Sequence, residues 1–344
     1  MKCNYLKETY EMGMLQNSSS KRVLKHSHIF AKAVLFCINC FITEGNLDRE
    51  NRLLSVLHKN GEIVMLRHNK RYFPIFVLPT LIAFTVAFVI PFILGIFLSF
   101  TEFTTVIDAE WVGIKNYKAA FENKEFLNAL WFTVKFAIVA VLTINVFSFL
   151  LALLLTKKIK GTNLFRTIFF MPNLIGGIVL GYIWQLIING VLFRYGVTLT
   201  FKPEYGFWGL IILMNWQMIG YMMVIYIAGI QNVPKDIIEA AKIDGAGSLH
   251  ILRKITIPMV MPSITICLFL TMSNSFKLFD QNLALTAGAP SKKTAMLALD
   301  IFNTFYGSVG SEGVGQAKAV IFFIIVALVA FIQLRITRTK EVEN

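Results

Sequence analysis

Charged residues are scarce in this sequence. Only 15% of its 344 residues are Asp, Glu, Lys or Arg, whereas 56% are hydrophobic and the mean hydropathy is +0.64. Soluble domains carry about 25% charged residues, so this composition excludes an ordinary soluble protein and indicates a chain that is dissolved in a lipid bilayer. The net charge of +13 lies in short clusters between apolar runs. It lacks the aromatic-interleaved basic stripe that nucleic-acid binding requires, and we expect no nucleic-acid partner.

Cysteine and histidine are also few. The four cysteines show no regular spacing that would predict disulfides. Cys37 and Cys40 have the two-residue spacing of a metal or redox site, and His26, His28 and Cys3 could complete a zinc shell. However, the pair sits in an apolar run and no second spaced pair follows. We therefore predict no metal site.

Sequence motifs for nucleotide binding and for catalysis are missing as well. No phosphate-binding loop of the form G-x-x-x-x-G-K-[ST] occurs, and the nearest candidate, residues 288–294, lacks the second glycine. The hydrolase motifs H-E-x-x-H and G-x-S-x-G are absent too. The sequence thus predicts neither an enzyme nor a cofactor, and any use of ATP would need a separate chain.

Long apolar runs dominate what is present. A bilayer core of about 30 Å needs roughly 20 apolar residues in a helix, because backbone polar groups can be satisfied there only internally. Six segments meet this requirement and predict an all-α polytopic membrane protein with six transmembrane helices. They are Pro74–Phe100, Leu127–Thr156, Ile168–Ile188, Phe207–Ile230, Pro258–Phe279 and Ala319–Ile336.

The distribution of Lys and Arg predicts how the chain is oriented. Basic residues are concentrated before the first span, after the last, and in the loops that follow the second and fourth spans. The opposite loops hold fewer, and we count Lys318 among them. Because translocation of basic charge is disfavoured, this pattern predicts a multi-pass protein of the cell (inner or plasma) membrane with both termini in the cytoplasm.

The first 64 residues differ from the rest. Ile29–Ile42 is apolar but short and is interrupted by Lys32, so it is typical of an interfacial or signal-like segment rather than of a seventh span. Met65 opens a short basic leader directly before the first span and is a candidate start of translation. We therefore divide the chain into an N-terminal extension, residues 1–64, and a transmembrane domain, residues 65–344.

The loop between the fourth and fifth spans is rich in small residues. Pro234 suits a first helical position, and an apolar face follows until Gly245 ends the helix. Ser248 can cap a second short helix that runs through Lys254. Small side chains would let the groove of another protein approach the backbone closely, which favours helix-in-groove docking. A plain surface connection between two spans would show the same pattern, so the residues alone leave both interpretations open.

The same loop resembles the EAA loop of binding-protein-dependent ABC importer permeases. The resemblance is long and specific, and it is carried by Glu239, Ala240, Ala241, Asp244, Gly245, Ala246, Ile255 and Pro258. It implies the ABC type I importer permease fold, with a cytoplasmic coupling loop between helices 4 and 5. It also implies that these eight residues contact an ATP-binding subunit.

Three further segments resemble the maltose-type, carbohydrate branch of that family: Trp111–Tyr117, Phe279–Thr294 and Gly315–Arg335. The last of them is typical of the first partner of a heterodimeric permease pair. The resemblance therefore implies a second homologous permease subunit, two ATP-binding subunits, an extracytoplasmic solute-binding protein and a sugar-like substrate. It leaves residues 1–71 without a counterpart.

Polar side chains in the fourth and fifth spans are candidates for a substrate pathway. Amide and ionisable groups inside spans are costly and usually face a cavity, and an amide beside an aromatic plane suits a sugar. By resemblance these two spans line the central path, which gives the candidates Asn215, Trp216, Gln217, Tyr221, Asn274, Lys277 and Asp280. Lys277 and Asp280 are three residues apart on one predicted helix, so a mutual ion pair or snorkelling to the surface is the alternative.

Two other features bear on packing and on function. Gly177 and Gly181 form a G-x-x-x-G pattern in the third span, which predicts close helix packing.

A gradient-driven secondary transporter is the alternative function, and it would need discontinuous helices or buried carboxylates near the midplane. No predicted span holds a central Asp or Glu, so the sequence favours the permease subunit of an ABC importer.

Overall fold

A computed structural model describes residues 77–105, 108–157, 160–307 and 309–339 of the chain. The Cys37 and Cys40 pair, the Ile29–Ile42 segment and Met65 lie outside these residues. The chain divides into two compact units, Met1–Thr85 and Val86–Asn344. The second unit holds nearly all of the described residues, and the candidate functional site described below lies within it.

The first part of the described chain contains long helices and one short hairpin. Its elements are α1 (Val77–Leu98), β1 (Thr101–Glu102), β2 (Glu110–Trp111), α2 (Lys115–Glu122) and α3 (Lys124–Leu155). The two strands pair antiparallel. Asn123 starts α3, because its Oδ1 accepts hydrogen bonds from the backbone N–H groups of Glu125 and Phe126. These two donors would otherwise have no partner at the helix end.

The rest of the described chain is helical and runs from α4 to α12. The helices are α4 (Thr162–Phe170), α5 (Gly177–Leu192), α6 (Pro203–Gln231), α7 (Lys235–Ile243), α8 (Ser248–Met259), α9 (Met261–Phe276), α10 (Asp280–Leu285), α11 (Leu297–Gly307) and α12 (Glu312–Arg338). A 3-10 turn, Met171–Leu174, lies between α4 and α5, and another, Phe193–Tyr195, extends α5.

Five helices in the described ranges are long and apolar enough to cross a membrane. They are α1, α3, α5 with its 3-10 extension, α6 and α12. The pair α8 and α9, bent by 69° at Val260, makes a sixth when it is counted as one span. This agrees with the predicted all-α polytopic architecture of six spans, with the small-residue loop between the fourth and the fifth.

The predicted third span, Ile168–Ile188, is wrong at its start. α4 ends at Phe170, the 3-10 turn with Pro172 follows, and the apolar helix begins only at Gly177. Proline lacks a backbone N–H, and glycine in a helix costs about 1 kcal/mol relative to alanine. The run is apolar throughout, so hydropathy does not register this interruption.

The predicted fifth span, Pro258–Phe279, also differs from the structure. The apolar helix α9 ends at Phe276, and the next helix, α10, starts at Asp280. On its other side, α8 does not end at Lys254 but continues through a π-helical turn, Leu252–Thr256, to Met259. Pro262 lies in the first turn of α9, a position that needs no N–H, so the chain restarts as a helix after the bend.

Hydrogen bonds between side chains join the helices at the core of the bundle. The Tyr226 hydroxyl on α6 donates to Asn145 Oδ1 on α3 at 2.6 Å, and Asn145 Nδ2 donates to Thr271 Oγ1 on α9 at 2.9 Å. Ser148 Oγ donates to the carbonyl of Ile219 at 2.9 Å. All four of these hydrogen-bonding side chains are buried. Such bonds satisfy polar groups in a dry bundle and fix the register of α3, α6 and α9.

Lys318 does not lie in a loop, as the charge pattern had implied. It is a fully buried residue of α12, and its Nζ lies 2.8 Å from Asp300 Oδ2 and 2.7 Å from Thr304 Oγ1, both on α11. The same nitrogen is 5.3 Å from the ring centroid of Phe126 on α3. A buried charge is tolerated when it is paired and hydrogen-bonded. Lys318 therefore joins three helices and adds no charge to a loop.

The turn that connects β1 and β2 is held by a carboxylate. Asp108 accepts hydrogen bonds from the Thr104 hydroxyl and from the backbone N–H of Thr105, the latter at 2.7 Å. These bonds lower the pKa of the Asp108 carboxyl to about 2. Because the pKa is depressed, the turn keeps this support above the ordinary Asp range and loses it only as the pH falls toward 2.

Candidate coupling loop and solute pocket

The loop between α6 and α9 forms the two short helices that the sequence predicts, with shifted starts. Pro234 precedes α7 with an extended ψ of 130° and is therefore not its first helical residue. Gly247, not Ser248, is the residue before α8, and no side chain caps that helix. Both starts lie on an exposed surface, where water can satisfy the free N–H groups, so neither needs a side-chain cap.

Gly245 ends α7, as predicted, in a left-handed conformation with φ +81°. The Gly245 N–H donates to the carbonyl of Lys242 at 3.0 Å, and the Ala246 N–H donates to the carbonyl of Ala241 at 2.9 Å. These two bonds define a Schellman motif. A Cβ at position 245 would meet no atom within 4 Å, so the backbone conformation, not lack of space, requires glycine here.

Half of the eight residues that resemble the EAA sequence are exposed, and none of them is fully buried. The exposed ones are Glu239, Ala240, Asp244 and Gly245, and the half-buried ones are Ala241, Ala246, Ile255 and Pro258. The first six of the motif surround the end of α7 at one end of the bundle. The last two lie further along α8, in the helix that leads into α9.

Two large apolar side chains of this loop have no cover within the described chain. Ile243 is 86% exposed and Leu249 is 77% exposed, one on each side of the turn at Gly245. Burial of such a side chain contributes roughly 1.5–3 kcal/mol, so this exposed pair is a candidate interaction site. Buried Val233 and Ile251 meanwhile anchor the loop to the bundle. Leu249 is not conspicuous in the sequence, because its surroundings depend on the turn.

A polar pocket of about 230 Å³ lies halfway along α6, at the level of its central residue Gln217. The lining residues are Asn173, Met214, Gln217, Met218, Tyr221, Asn274, Lys277, Leu278 and Gln281. Four of the seven predicted pathway residues, Gln217, Tyr221, Asn274 and Lys277, are therefore brought together. The pocket offers amide groups, a phenol ring and one cation.

The other three predicted pathway residues do not line this pocket. Asn215 Nδ2 donates to Thr143 Oγ1 of α3 at 3.0 Å. Trp216 packs edge-to-face on Trp184 of α5, with ring centroids 5.6 Å apart. Asp280 begins α10 beside Gly177. Successive helical residues point about 100° apart, so residues 215, 216 and 217 cannot share one face.

The alternative ion pair of Lys277 and Asp280 does not form. The ion pairs among the described residues are Lys115 with Glu102, Lys292 with Glu125, and Lys318 with Asp300. Lys277 follows the end of α9 and Asp280 starts α10, so the two are not on one helix face. Lys277 is exposed toward the pocket, where the lining residues include no carboxylate.

The pocket lies where two apolar segments are interrupted. Asn173 belongs to the 3-10 turn between α4 and α5, and Lys277 and Leu278 lie between α9 and α10. Interruptions of this kind place backbone and polar groups at a buried site and are typical of binding sites in transporters. Asn173 was missed because Ile168–Ile188 reads as one continuous apolar span, and Gln281 was missed because it lies just after the predicted fifth span, Pro258–Phe279. The pair Pro172 and Asn173 inside an apolar run is the signal that could have found the first of them.

The two glycines of the G-x-x-x-G pattern pack against α10. A Cβ at Gly181 would lie 2.5 Å from the Cβ of Ala284, and one at Gly177 would lie 2.8 Å from the Cβ of Asp280. Gln185 Nε2 donates to the carbonyl of Leu285 at 3.0 Å. The close packing that the pattern predicts is thus present, and its partner is α10.

Known proteins provide an independent comparison. Residues 160–341, more than half of the chain, match the family model described as binding-protein-dependent transport system inner membrane component. The probable starch degradation products transport system permease protein AmyD of Thermoanaerobacterium thermosulfurigenes is 45% identical over 284 residues, which cover 80% of this chain and 97% of that protein. The multiple sugar-binding transport system permease protein MsmF of Streptococcus mutans is 31% identical over 284 residues, with 80% and 98% covered.

A solved structure shows the same fold. The crystal structure of a bacterial ABC transporter involved in the import of the acidic polysaccharide alginate matches with a TM-score of 0.68 at 20% identity, over 80% of this chain and 98% of that one. Family membership decides for a transport subunit and against both the gradient-driven carrier and an enzyme. The chain belongs to the family of binding-protein-dependent transport system inner membrane components, the permease subunits of ABC importers.

Proposed function

We propose that this chain imports a sugar, delivered by an extracytoplasmic solute-binding protein, through the pocket at the middle of α6. It assembles with a second homologous permease subunit and two ATP-binding subunits. It lies in the cell membrane with both termini in the cytoplasm, so the end of the bundle that carries α7 and α8 faces the cytoplasm. Residues 65–344 form the transmembrane domain, and residues 1–64 are a dispensable extension.

The observation that carries the proposal is the exposed surface of α7 and α8. Small side chains at Ala240, Ala241 and Gly245 permit close approach of a groove, and Ile243 and Leu249 offer apolar anchors beside them. The Schellman turn fixes the angle between the two helices, so the surface is formed before a partner binds. These are the properties of a helical element that seats in a groove of another protein.

The chemistry of the pocket supports a sugar as the solute. Sugar hydroxyls both donate and accept hydrogen bonds, and the amides of Asn173, Gln217, Asn274 and Gln281 do the same. The ring of Tyr221 offers an apolar face for sugar C–H groups. At about 230 Å³ the pocket is smaller than the usual 300–1,000 Å³ of a ligand site. It therefore holds one part of an oligosaccharide, a class that the names of the starch-product and multiple-sugar relatives also support.

The path from the loop to the pocket follows one helical connection. α8 leads into α9 at the 69° bend, and α9 extends over 16 residues, about 24 Å, to Lys277 at the pocket. When ATP binding closes the ATP-binding subunits, movement of α7 and α8 displaces α9 and switches the pocket between its inward-open and outward-open states. A rigid helix transmits such a displacement over its whole length.

Co-purification and uptake test this proposal. The tagged chain, isolated from membranes in mild detergent, is expected to bring an ATP-binding subunit with it. The double change Ile243→Asp and Leu249→Asp should abolish that co-purification and the ATP-dependent uptake of labelled maltotriose. Val309→Asp is the matched control, because Val309 is an equally exposed apolar residue (89%) outside the loop. Retention of the ATP-binding subunit by the double variant would overturn the proposal.

A further inference from the structure

Gln217 makes two hydrogen bonds across the pocket. Gln281 Nε2 on α10 donates to Gln217 Oε1 at 2.9 Å, and Gln217 Nε2 donates to the carbonyl of Ile175 at a longer 3.4 Å. Ile175 lies in the interruption just before α5. Gln217 is only 8% exposed, so water competes little for these bonds. One side chain of α6 therefore holds the pocket ends of both α5 and α10.

α5 and α10 form one closely packed pair. Gly181 lies against Ala284, Gly177 lies against Asp280, and Gln185 bonds the last carbonyl of α10. Backbones that approach this closely cannot slide past each other without clashes, because interlocked helices have few alternative packings. We call these two helices the α5–α10 pair.

The segments on the other side of both interruptions are fixed to α6 and α3. A Cβ at Gly220 of α6 would lie 1.7 Å from the carbonyl oxygen of Phe169, so the end of α4 is pressed against α6. α9 is bonded to α3 through Thr271 and Asn145. The two interruptions, residues 171–176 and 277–279, thus connect the α5–α10 pair to a body made of α3, α4, α6 and α9.

The α5–α10 pair contacts α6 at Gly209, at Trp216 and at Gln217. At the start of α6, Gly209 lies close to Ile188 and Leu285, which is an apolar contact that permits rotation. At the middle of α6, Trp216 packs edge-to-face on Trp184 of α5, and Gln217 makes the polar contact. Within the described ranges, the side-chain hydrogen bonds that join the pair and Ile175 to α3 or α6 are those of Gln217.

We infer that Gln217 is a positioning residue for transport, a latch that holds the α5–α10 pair against α6 until solute enters the pocket. Gln217 and Gln281 both line the pocket. A sugar hydroxyl can donate to Gln217 Oε1 in place of Gln281, which frees the pair to pivot at its two interruptions. The role of the solute in this inference rests on the proposed function, whereas the latch itself rests on geometry alone.

Thiol labelling tests the latch without reference to transport. The four native cysteines, Cys3, Cys37, Cys40 and Cys267, are replaced by serine or alanine, and Met218→Cys reports on the pocket, which Met218 lines at 6% exposure. Gln281→Leu should speed labelling by a water-soluble maleimide in membranes roughly fivefold, the shift expected when one hydrogen bond is lost. Gln217→Leu also removes the bond to Ile175 and should speed labelling by at least as much. The double variant should match Gln217→Leu, because that change already removes the bond that Gln281 donates.

Gln185→Leu is the matched control, because it removes a glutamine bond inside the α5–α10 pair and leaves the latch intact. Equal labelling rates in Gln185→Leu and Gln217→Leu would overturn the inference. A second reporter, Met223→Cys, sits in the core away from the pocket. If Gln217→Leu sped its labelling too, the variant would have loosened the whole bundle, and the latch would again be refuted. Failure of the wild-type complex to take up maltotriose, with the labelling pattern as expected, would instead refute only the proposed sugar transport.

Discussion

At the residue scale, Lys277 is the cation of the pocket, and its lining residues contain no carboxylate to pair with it. Lys277→Gln should raise the KM for maltotriose uptake roughly tenfold, because hydrogen bonds from charged donors contribute about 1.5–3 kcal/mol. Lys135→Gln is the control, since Lys135 is an exposed lysine of α3 that lies over the ring of Trp131, away from the pocket. An unchanged KM for Lys277→Gln would remove this residue from the pathway.

Lys318 and Asp300 form a buried ion pair. Lys318→Met leaves the Asp300 carboxylate buried without its partner, which should lower the free energy of unfolding by about 3–5 kcal/mol. The double change Lys318→Met and Asp300→Asn leaves no charge behind and should recover most of that loss. Thermal unfolding of the purified protein in detergent measures both. Equal losses in the single and double variants would mean that packing, rather than charge, is what the pair contributes.

At the element scale, the turn after α7 depends on one glycine. Gly245→Ala places a Cβ in a left-handed conformation, which costs about 1–2 kcal/mol and should fray the end of α7. We expect reduced uptake with ATP hydrolysis retained, because the loop no longer transmits the motion. Gly247→Ala is the control, since Gly247 has an ordinary φ of −71° and open space around it. Uptake and hydrolysis are measured on the same reconstituted vesicles, and a Gly245→Ala complex as tightly coupled as the control would contradict the expectation.

The contact between α5 and α10 can be tested in the same way. Gly181→Leu forces a side chain into the Cβ of Ala284 and should lower the melting temperature and abolish uptake, because overpacking costs typically 1–3 kcal/mol or more. Gly190→Leu makes the same change on the same helix, where no atom lies within 4 Å. Gly190→Leu should leave the melting temperature and the uptake near the wild-type values. Similar melting temperatures for the two variants would show that the close approach at Gly181 is not needed.

At the scale of the whole molecule, the relatives bear on how much of the chain is needed. AmyD and MsmF are matched over 97% and 98% of their own lengths by 80% of this chain. A chain of residues 65–344 should therefore insert, retain its ATP-binding subunit and take up maltotriose at the full rate. Uptake per molecule of chain in the membrane is the measurement. A truncated chain that inserts but does not transport would show that residues 1–64 act in the import cycle.

The interrupted spans do not favour a gradient-driven secondary transporter over an ABC importer. Discontinuous helices beside a central pocket were the feature expected of a gradient-driven carrier. This chain has them at residues 171–176 and 277–279, and it nevertheless belongs to the ABC importer family. Interrupted helices therefore indicate where a solute can bind but not which energy source drives the transport. The docking role proposed for the exposed loop at Gly245 would distinguish the two, because a gradient-driven carrier needs no surface for an ATP-binding subunit.

The sequence by itself determined the features that depend on local physics. Span number follows from the length of apolar runs, and the end of α7 follows from the one residue type that adopts φ +81° without strain. Tertiary structure alone decided the rest. Whether Gln217 and Lys277 meet in one pocket, where α5 begins, and that Lys318 is buried beside Asp300 all depend on contacts between residues far apart in the chain. An apolar run looks the same whether it is continuous or broken, so only the packing of α4, α9 and α10 around α6 shows where the pocket lies.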